Sequence, residues 1–171
     1  MSIKPVQNVD LIHLSRIEKE LFEEDAFGVF LLLFYLQNHL FFEKIVTESD
    51  DIIGFGIISL LNPAALNPHE MEYVGNIFDK NKKIAHLVDF AVRKKFWNKG
   101  FGTTLLNHLT IKLIKKEFDF LYLEVDSSNT RAVQFYQHHT FKEIGVIKSY
   151  YSTGHDAILM LKQLERFSET L

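Results

Sequence analysis

The run Asp89-Phe-Ala-Val-Arg-Lys-Lys-Phe-Trp-Asn-Lys-Gly-Phe-Gly-Thr-Thr-Leu-Leu-Asn107 changes character twice. It starts with the apolar residues of a strand, crosses a turn carrying Arg93, Lys94, Lys95 and Lys99, and continues past Gly100-Phe101-Gly102 as an amphipathic helix. Glycine has no Cβ, so an anion can come close to its backbone N–H groups. The opening N–H groups of the helix have no partner further back, and the helix dipole favours negative charge at that end. Strand, basic glycine turn and helix start together make a seat for a phosphate. The spacing is neither G-x-x-x-x-G-K-[ST] nor G-x-G-x-x-G, since Leu105 stands where a third glycine would fall. Two glycines opening a helix are also ordinary turn punctuation, so these residues alone leave both readings open.

Working toward the N-terminus, Ile84 to Val92 reads as the strand feeding the turn. Before it, Asn62 to Lys83 is a polar insertion with Pro63, Pro68 and Gly75, too long for a simple turn. Leu40 to Thr47 and Ile52 to Leu61 read as an antiparallel hairpin about Ser49-Asp50-Asp51, and Gly54 and Gly56 inside the second strand mark a close backbone approach. Ala26 to Leu36 is almost wholly apolar yet too short to span a bilayer, for which ~20 residues are needed. It predicts a buried helix, or an exposed one that lines a peptide groove or docks a partner protein. Val9 to Phe22 carries Leu14, Ile17 and Leu21 at helical spacing, with Arg16, Glu18, Lys19 and Glu20 as its polar side and Asp10 as N-cap. Ile3 to Gln7 suggests a short first strand.

Toward the C-terminus, the helix Gly102 to Lys116 places Leu105, Leu106, Leu109 and Leu113 on one stripe. Phe120 to Val125 reads as a strand. Asn129 caps a helix through His138, whose Ala132, Val133 and Tyr136 share a face. Phe141 to Tyr151 and Ala157 to Gln163 form a last hairpin about Thr153-Gly154. The order is mixed α/β without repeat or linker, which predicts one domain over residues 1–171.

Glu124 lies in the otherwise apolar strand Leu121-Tyr-Leu-Glu-Val125. Burial there would raise its pKa toward that of a useful general base; a strand-end glutamate paired with a surface lysine is the equal alternative. His86 opens its strand, where a structural histidine is the commoner finding. The ordinary imidazole pKa of ~6.5 also suits proton removal. The histidines show no H-x-x-x-H or H-E-x-x-H spacing, so no metal is expected.

Taken together, Ala91-Val92, Gly100, Gly102, Leu121-Tyr-Leu-Glu-Val125, Ser128-Asn129, Ala132-Val-Gln-Phe-Tyr136, Phe141, Tyr150-Tyr151 and Asp156-Ala157 resemble the GNAT family of acyl-CoA-dependent N-acetyltransferases. The similarity is strongest to protein N-terminal acetyltransferases of the ribosomal-protein-alanine and archaeal catalytic-subunit types. The family pattern (Gln/Arg)-x-x-Gly-x-(Gly/Ala) departs here at Trp97, a position that supplies mainly backbone, and at Thr140, where Gly-Phe is usual; the turn after the Tyr136 helix should therefore be built differently. The resemblance implies an α/β (α+β) GNAT fold, a mixed and mostly antiparallel sheet of about 6–7 strands flanked by about 4 helices. It implies acetyl-CoA as cosubstrate, held by Phe90, Ala91, Val92, Asn98, Lys99, Gly100, Phe101, Gly102 and Thr103, with Asn129 and Tyr136 along the thioester arm. Glu124 and His86 take the place of the base, Tyr136 that of the acid protonating the leaving thiolate, and Tyr150, Tyr151, Glu23 and Glu24 that of substrate contacts. Archaeal relatives resemble this chain in having an insertion at Asn62 to Lys83.

Composition sets the outer bounds. The chain has 171 residues, 47% apolar with 16 Phe, which suits a packed globule and not a disordered chain. A net charge of −3 gives no nucleic-acid signature. Without cysteine there is no disulfide framework and no thiol nucleophile. No basic-then-apolar leader opens the sequence, which predicts a cytoplasmic protein away from membranes. An α-amine at ~7.7–8.0 is far easier to deprotonate than a lysine at ~10.4, by about 3 kcal/mol. The expected activity is acetylation of a protein or peptide N-terminus, with an auxiliary subunit or the ribosome as further partners. A GNAT enzyme of small amines or protein lysine, and a non-catalytic acyl-CoA-binding subunit, stay open.

Overall fold

The computed structural model describes residues 1–62, 66, 68–75 and 82–165. Strands β1 (Ser2–Pro5), β2 (Phe41–Val46), β3 (Ile52–Leu60), β4 (Ile84–Val92), β5 (Phe120–Asp126), β6 (Lys142–Ile147) and β7 (Ala157–Gln163) form one sheet in the order β1-β2-β3-β4-β5-β7-β6. β1 with β2, β2 with β3, β5 with β7 and β6 with β7 pair antiparallel, and β4 with β5 pairs parallel. The helices are α1 (Leu11–Phe22), α2 (Val29–Gln37), α3 (Pro68–Val74), α4 (Phe101–Lys115) and α5 (Thr130–His138). Contacts group the chain into two compact units, Met1–Leu60 with Leu87–Leu109, and Leu61–His86 with Thr110–Leu171.

In the first unit, α1 and α2 pack on β2 and β3 through Leu14, Ile17, Leu32, Phe42, Phe55 and Ile57. The two strand glycines do what their positions suggest. A Cβ on Gly54 would meet the Ala91 carbonyl oxygen at 2.3 Å, and one on Gly56 would meet Leu109 at 2.8 Å. The hairpin strands can therefore press against β4 and α4 only where no side chain intervenes.

Four expectations change here. Asp10 stands at the N-cap of α1, but its side chain makes no capping bond there; the carboxylate accepts from the Gln7 N–H at 2.8 Å and pairs with Lys44 at 2.6 Å. Glu18 is not on the polar side, because its position four residues past Leu14 turns it inward, to 1% exposure. The apolar α2 is not simply buried: Leu32 is enclosed, but Phe30 is 89% exposed and Val29, Leu31 and Phe34 are open as well. The exposed reading therefore holds for most of that helix. Finally, the insertion is not all loop, since Pro68–Val74 is helical, proline fitting the first helical position; Pro63 lies outside the described residues.

The second unit is built on β5, β7 and β6. Val74, Ile84, Tyr122, Ile147 and Leu159 close its core, with Tyr73 packed alongside. Gly145 makes that packing possible, since a Cβ there would stand 2.4 Å from the Tyr73 ring.

Candidate active site

The turn expected to seat a phosphate belongs to the first unit. Its start is fixed by Arg93, whose N–H donates to the Ile53 carbonyl at 3.0 Å. Phe96 and Trp97 then turn back on Arg93 and Lys94 at 2.8 and 3.1 Å. Asn98 and Gly100 take left-handed backbone, with φ of 58° and 80°, which asparagine tolerates and glycine adopts without strain. A Cβ on Gly100 would meet nothing within 4 Å, so open space lies over the bend. Helix α4 then closes onto it, the Thr104 N–H reaching the Gly100 carbonyl at 2.9 Å. Lys94, Lys95 and Lys99 are exposed around the turn, and the Lys95 ammonium lies 4.9 Å over the Phe96 ring. Trp97 spends its indole on the fold, the N–H donating to the Val92 carbonyl at 2.5 Å. The side chain thus ties the turn to the strand end.

Helix α1 and strand β4 add a feature of the same unit that the sequence reading missed: the carboxyl groups of Glu18 and Asp89 meet in the interior.

The second unit carries the side chains expected from the sequence to do acid–base chemistry. Strands β4 and β5 run parallel with His86 opposite Tyr122. Glu124, two residues past Tyr122, lies on the same face of β5. The geometry brings the His86 Nε2 to 2.7 Å from the Glu124 Oε2. Tyr122 is fully buried beneath them, its ring 5.4 Å from that of His86. The expected rise in the Glu124 pKa is not found. Burial pushes it up, but the charge and hydrogen bond of His86, with help from Tyr122, outweigh that, and it lies below the ordinary carboxylate range. The same charge acts on the surrounding phenols. Tyr122 and Tyr151 are both held above the usual tyrosine range, first by burial and then by Glu124. Both hydroxyls therefore keep their protons at neutral pH.

Tyr150 and Tyr151 stand edge to face at 5.1 Å. Their loop is tied down where the His155 Nδ1 meets the Asp126 carboxylate at 2.9 Å. Tyr136 is buried on α5, with Phe135 and Phe141 each 5.4 Å away. Asn129 caps that helix, its Oδ1 accepting from the Ala132 N–H at 3.1 Å. The turn after it keeps the left-handed shape that glycine usually provides, with Thr140 at φ 66° and the Phe141 N–H reaching back to the Tyr136 carbonyl at 3.1 Å. A different construction had been expected; the hydrogen-bond demand of the helix end prevails over the side chain. Glu23 and Glu24 are exposed in a 3-10 turn of the first unit, Glu23 at φ 49°. The sequence reading also missed Tyr122, though its two-residue offset from Glu124 places both on one face. Among the described residues, no group of three or more His, Cys, Asp or Glu could hold a metal ion, and no helix is long and apolar enough to cross a membrane.

The strand order and the glycine turn leading into α4 make this a GNAT-type α/β fold. The chain belongs to the Acetyltransferase (GNAT) family, whose pattern matches residues 10–141. Over 81 residues it is 40% identical to an N-alpha-acetyltransferase of Saccharolobus solfataricus, a stretch covering 46% of this chain and 48% of that protein. The chain thus spans about half the length of the relatives it matches. NAA60 from Arabidopsis thaliana, solved with a bisubstrate analogue, superposes with a TM-score of 0.81 at 15% identity, over 96% of this chain and 98% of that one. The ribosomal-protein-S18-alanine N-acetyltransferase from Escherichia coli gives 0.75 at 22% identity, over 99% and 97%. At such identities these two carry the fold alone.

Proposed function

We propose that this chain transfers the acetyl group of acetyl-CoA to the N-terminal α-amine of a protein or peptide. The observation carrying the reading is the 2.7 Å contact between the His86 Nε2 and the Glu124 Oε2, set among protonated tyrosines. The family supplies the acyl donor; the acid–base pair supplies a use for it. Support for the substrate comes from the name of the Saccharolobus relative, an N-alpha-acetyltransferase 40% identical over 81 residues.

With the imidazole neutral, the ionised Glu124 carboxylate accepts a hydrogen bond from the His86 Nε2–H, and Nδ1 is then the accepting nitrogen. As the amine attacks the thioester carbonyl, a C–N bond forms and the C–S bond breaks. The amine proton passes to Nδ1, directly or through one water, and Glu124 stabilises the resulting imidazolium. Tyr136 gives its hydroxyl proton to the departing thiolate. The N–H groups of the Phe90 to Val92 segment polarise the carbonyl, and the turn from Asn98 to Thr103 takes the diphosphate. Tyr150 and Tyr151 cover the peptide backbone, while Glu23 and Glu24 meet its first residues. An auxiliary subunit or the ribosome would present the nascent chain.

The test is acetyl-CoA turnover on short peptides with a free N-terminus, a blocked N-terminus, and a blocked N-terminus plus an internal lysine. Turnover confined to the free N-terminus is expected; acetylation of the lysine peptide alone would overturn the reading.

A further inference from the structure

The carboxyl groups of Glu18 and Asp89 are enclosed in the first unit, 1% and 8% exposed, and the acetyl-transfer chemistry makes no use of them. Two buried carboxylates side by side would repel strongly in a medium of low dielectric. Among the described residues, the buried Glu18 Oε1 and Asp89 Oδ2 have no hydrogen-bond partner outside the pair. The two carboxyl groups are nevertheless hydrogen-bonded to one another. Only a proton on one of them reconciles these facts. Each carboxyl also accepts from a backbone N–H, Glu18 through Oε2 from Phe27 at 2.8 Å and Asp89 from Phe90; their mutual hydrogen bond draws Glu18 down and Asp89 up, which makes Asp89 the donor. Burial, followed by the charge of Glu18, holds the Asp89 carboxyl well above the usual carboxylate range, which favours a proton on Asp89.

This arrangement joins three elements: α1 through Glu18, β4 through Asp89, and the turn before α2 through Phe27. That turn runs from Glu23 to Gly28. It carries the exposed Glu23 and Glu24 and leads into the exposed Phe30 and Phe34. Its placement therefore sets where a chain with a positively charged end and apolar side chains meets this unit.

We propose that Glu18 and Asp89 form a proton-sharing clasp that positions the Glu23–Gly28 turn for the amine substrate, a role that rests on the transferase reading above. The two residues are positioning residues: they act through Phe27 and touch neither substrate nor cosubstrate. The amide variants Glu18→Gln and Asp89→Asn replace the shared proton with an N–H donor and keep the clasp shut. Glu18→Ala opens it.

Three measurements on the full chain decide the matter. Difference infrared spectra at neutral pH should show a protonated carboxyl band that both amide variants lack. Hydrogen exchange at the Phe27 amide should quicken on the order of tenfold in Glu18→Ala and return to near the parent rate in Glu18→Gln, the fold-change expected for losing one charge-assisted bond. The peptide KM should rise by a similar factor in Glu18→Ala with the acetyl-CoA KM unchanged, and Glu18→Gln should restore it. Absence of the band, or equal exchange in all the variants, overturns the clasp. An unchanged peptide KM beside altered exchange overturns its positioning role. If the parent chain acetylates no peptide, the transferase reading fails, and with it the positioning role, while band and exchange still judge the clasp.

Discussion

Exchanging Glu18 for glutamine should change how stability depends on pH. Glu18 lies at about 7, against 4.5 for the free side chain, because burial outweighs the hydrogen bonds from Phe27 and Asp89. The folded chain therefore holds this proton more tightly than the unfolded chain does. The stabilisation is complete below 4.5 and is lost as pH rises toward about 7. A difference of roughly 2.5 units at 1.36 kcal/mol each gives about 3 kcal/mol. The group is only 1% exposed, so solvent screening takes little from that figure. Asp89 is raised as well, and its loss carries the same sign. Glu124 works in the opposite direction, since a depressed carboxylate loses stability in acid, but it is common to both proteins and cancels in the difference. Urea unfolding of the parent and Glu18→Gln across this window should show the parent losing about 3 kcal/mol relative to the variant as pH rises. A flat difference, or a parent that gains on the variant, would refute the reasoning that burial holds a second proton on Glu18, beyond the one Asp89 shares with it.

Thr140→Gly should stabilise the fold by about 1–2 kcal/mol, since a β-branched residue there adopts φ 66° and glycine would not be strained; urea midpoints measure it. Gly145→Ala should destabilise by about 1–3 kcal/mol because its Cβ meets the Tyr73 ring. In the double variant with Tyr73→Ala the two costs should sum to clearly less than their separate values, and strict additivity in a double-mutant cycle would show that the contact is not the cause. Glu124→Gln should lower kcat by roughly 10²–10³-fold while leaving acetyl-CoA binding unchanged, because it removes the charge that steadies the His86 imidazolium. Steady-state kinetics and direct titration of acetyl-CoA separate those effects.

Local chemistry along the chain was enough to locate most of the architecture. Gly100 had to be where the backbone turns left-handed, and Asn129 where a helix needed a cap. Gly54 and Gly56 had to be where strands meet closely. These signals survive in one dimension because each depends on a residue and its immediate neighbours. The pairing of His86 with Glu124 was legible only as two separate candidates with a shared family pattern. What the sequence could not express is what lies across from a residue once strands and helices pack. Glu124 by itself reads as a carboxylate raised by burial; His86, 38 positions away, reverses the sign. Glu18 reads as one more charge on a helix's wet side, until Asp89 faces it in the interior. Electrostatic energy depends on distance and on the exclusion of water, and both are set by the tertiary fold and not by the order of residues along the chain.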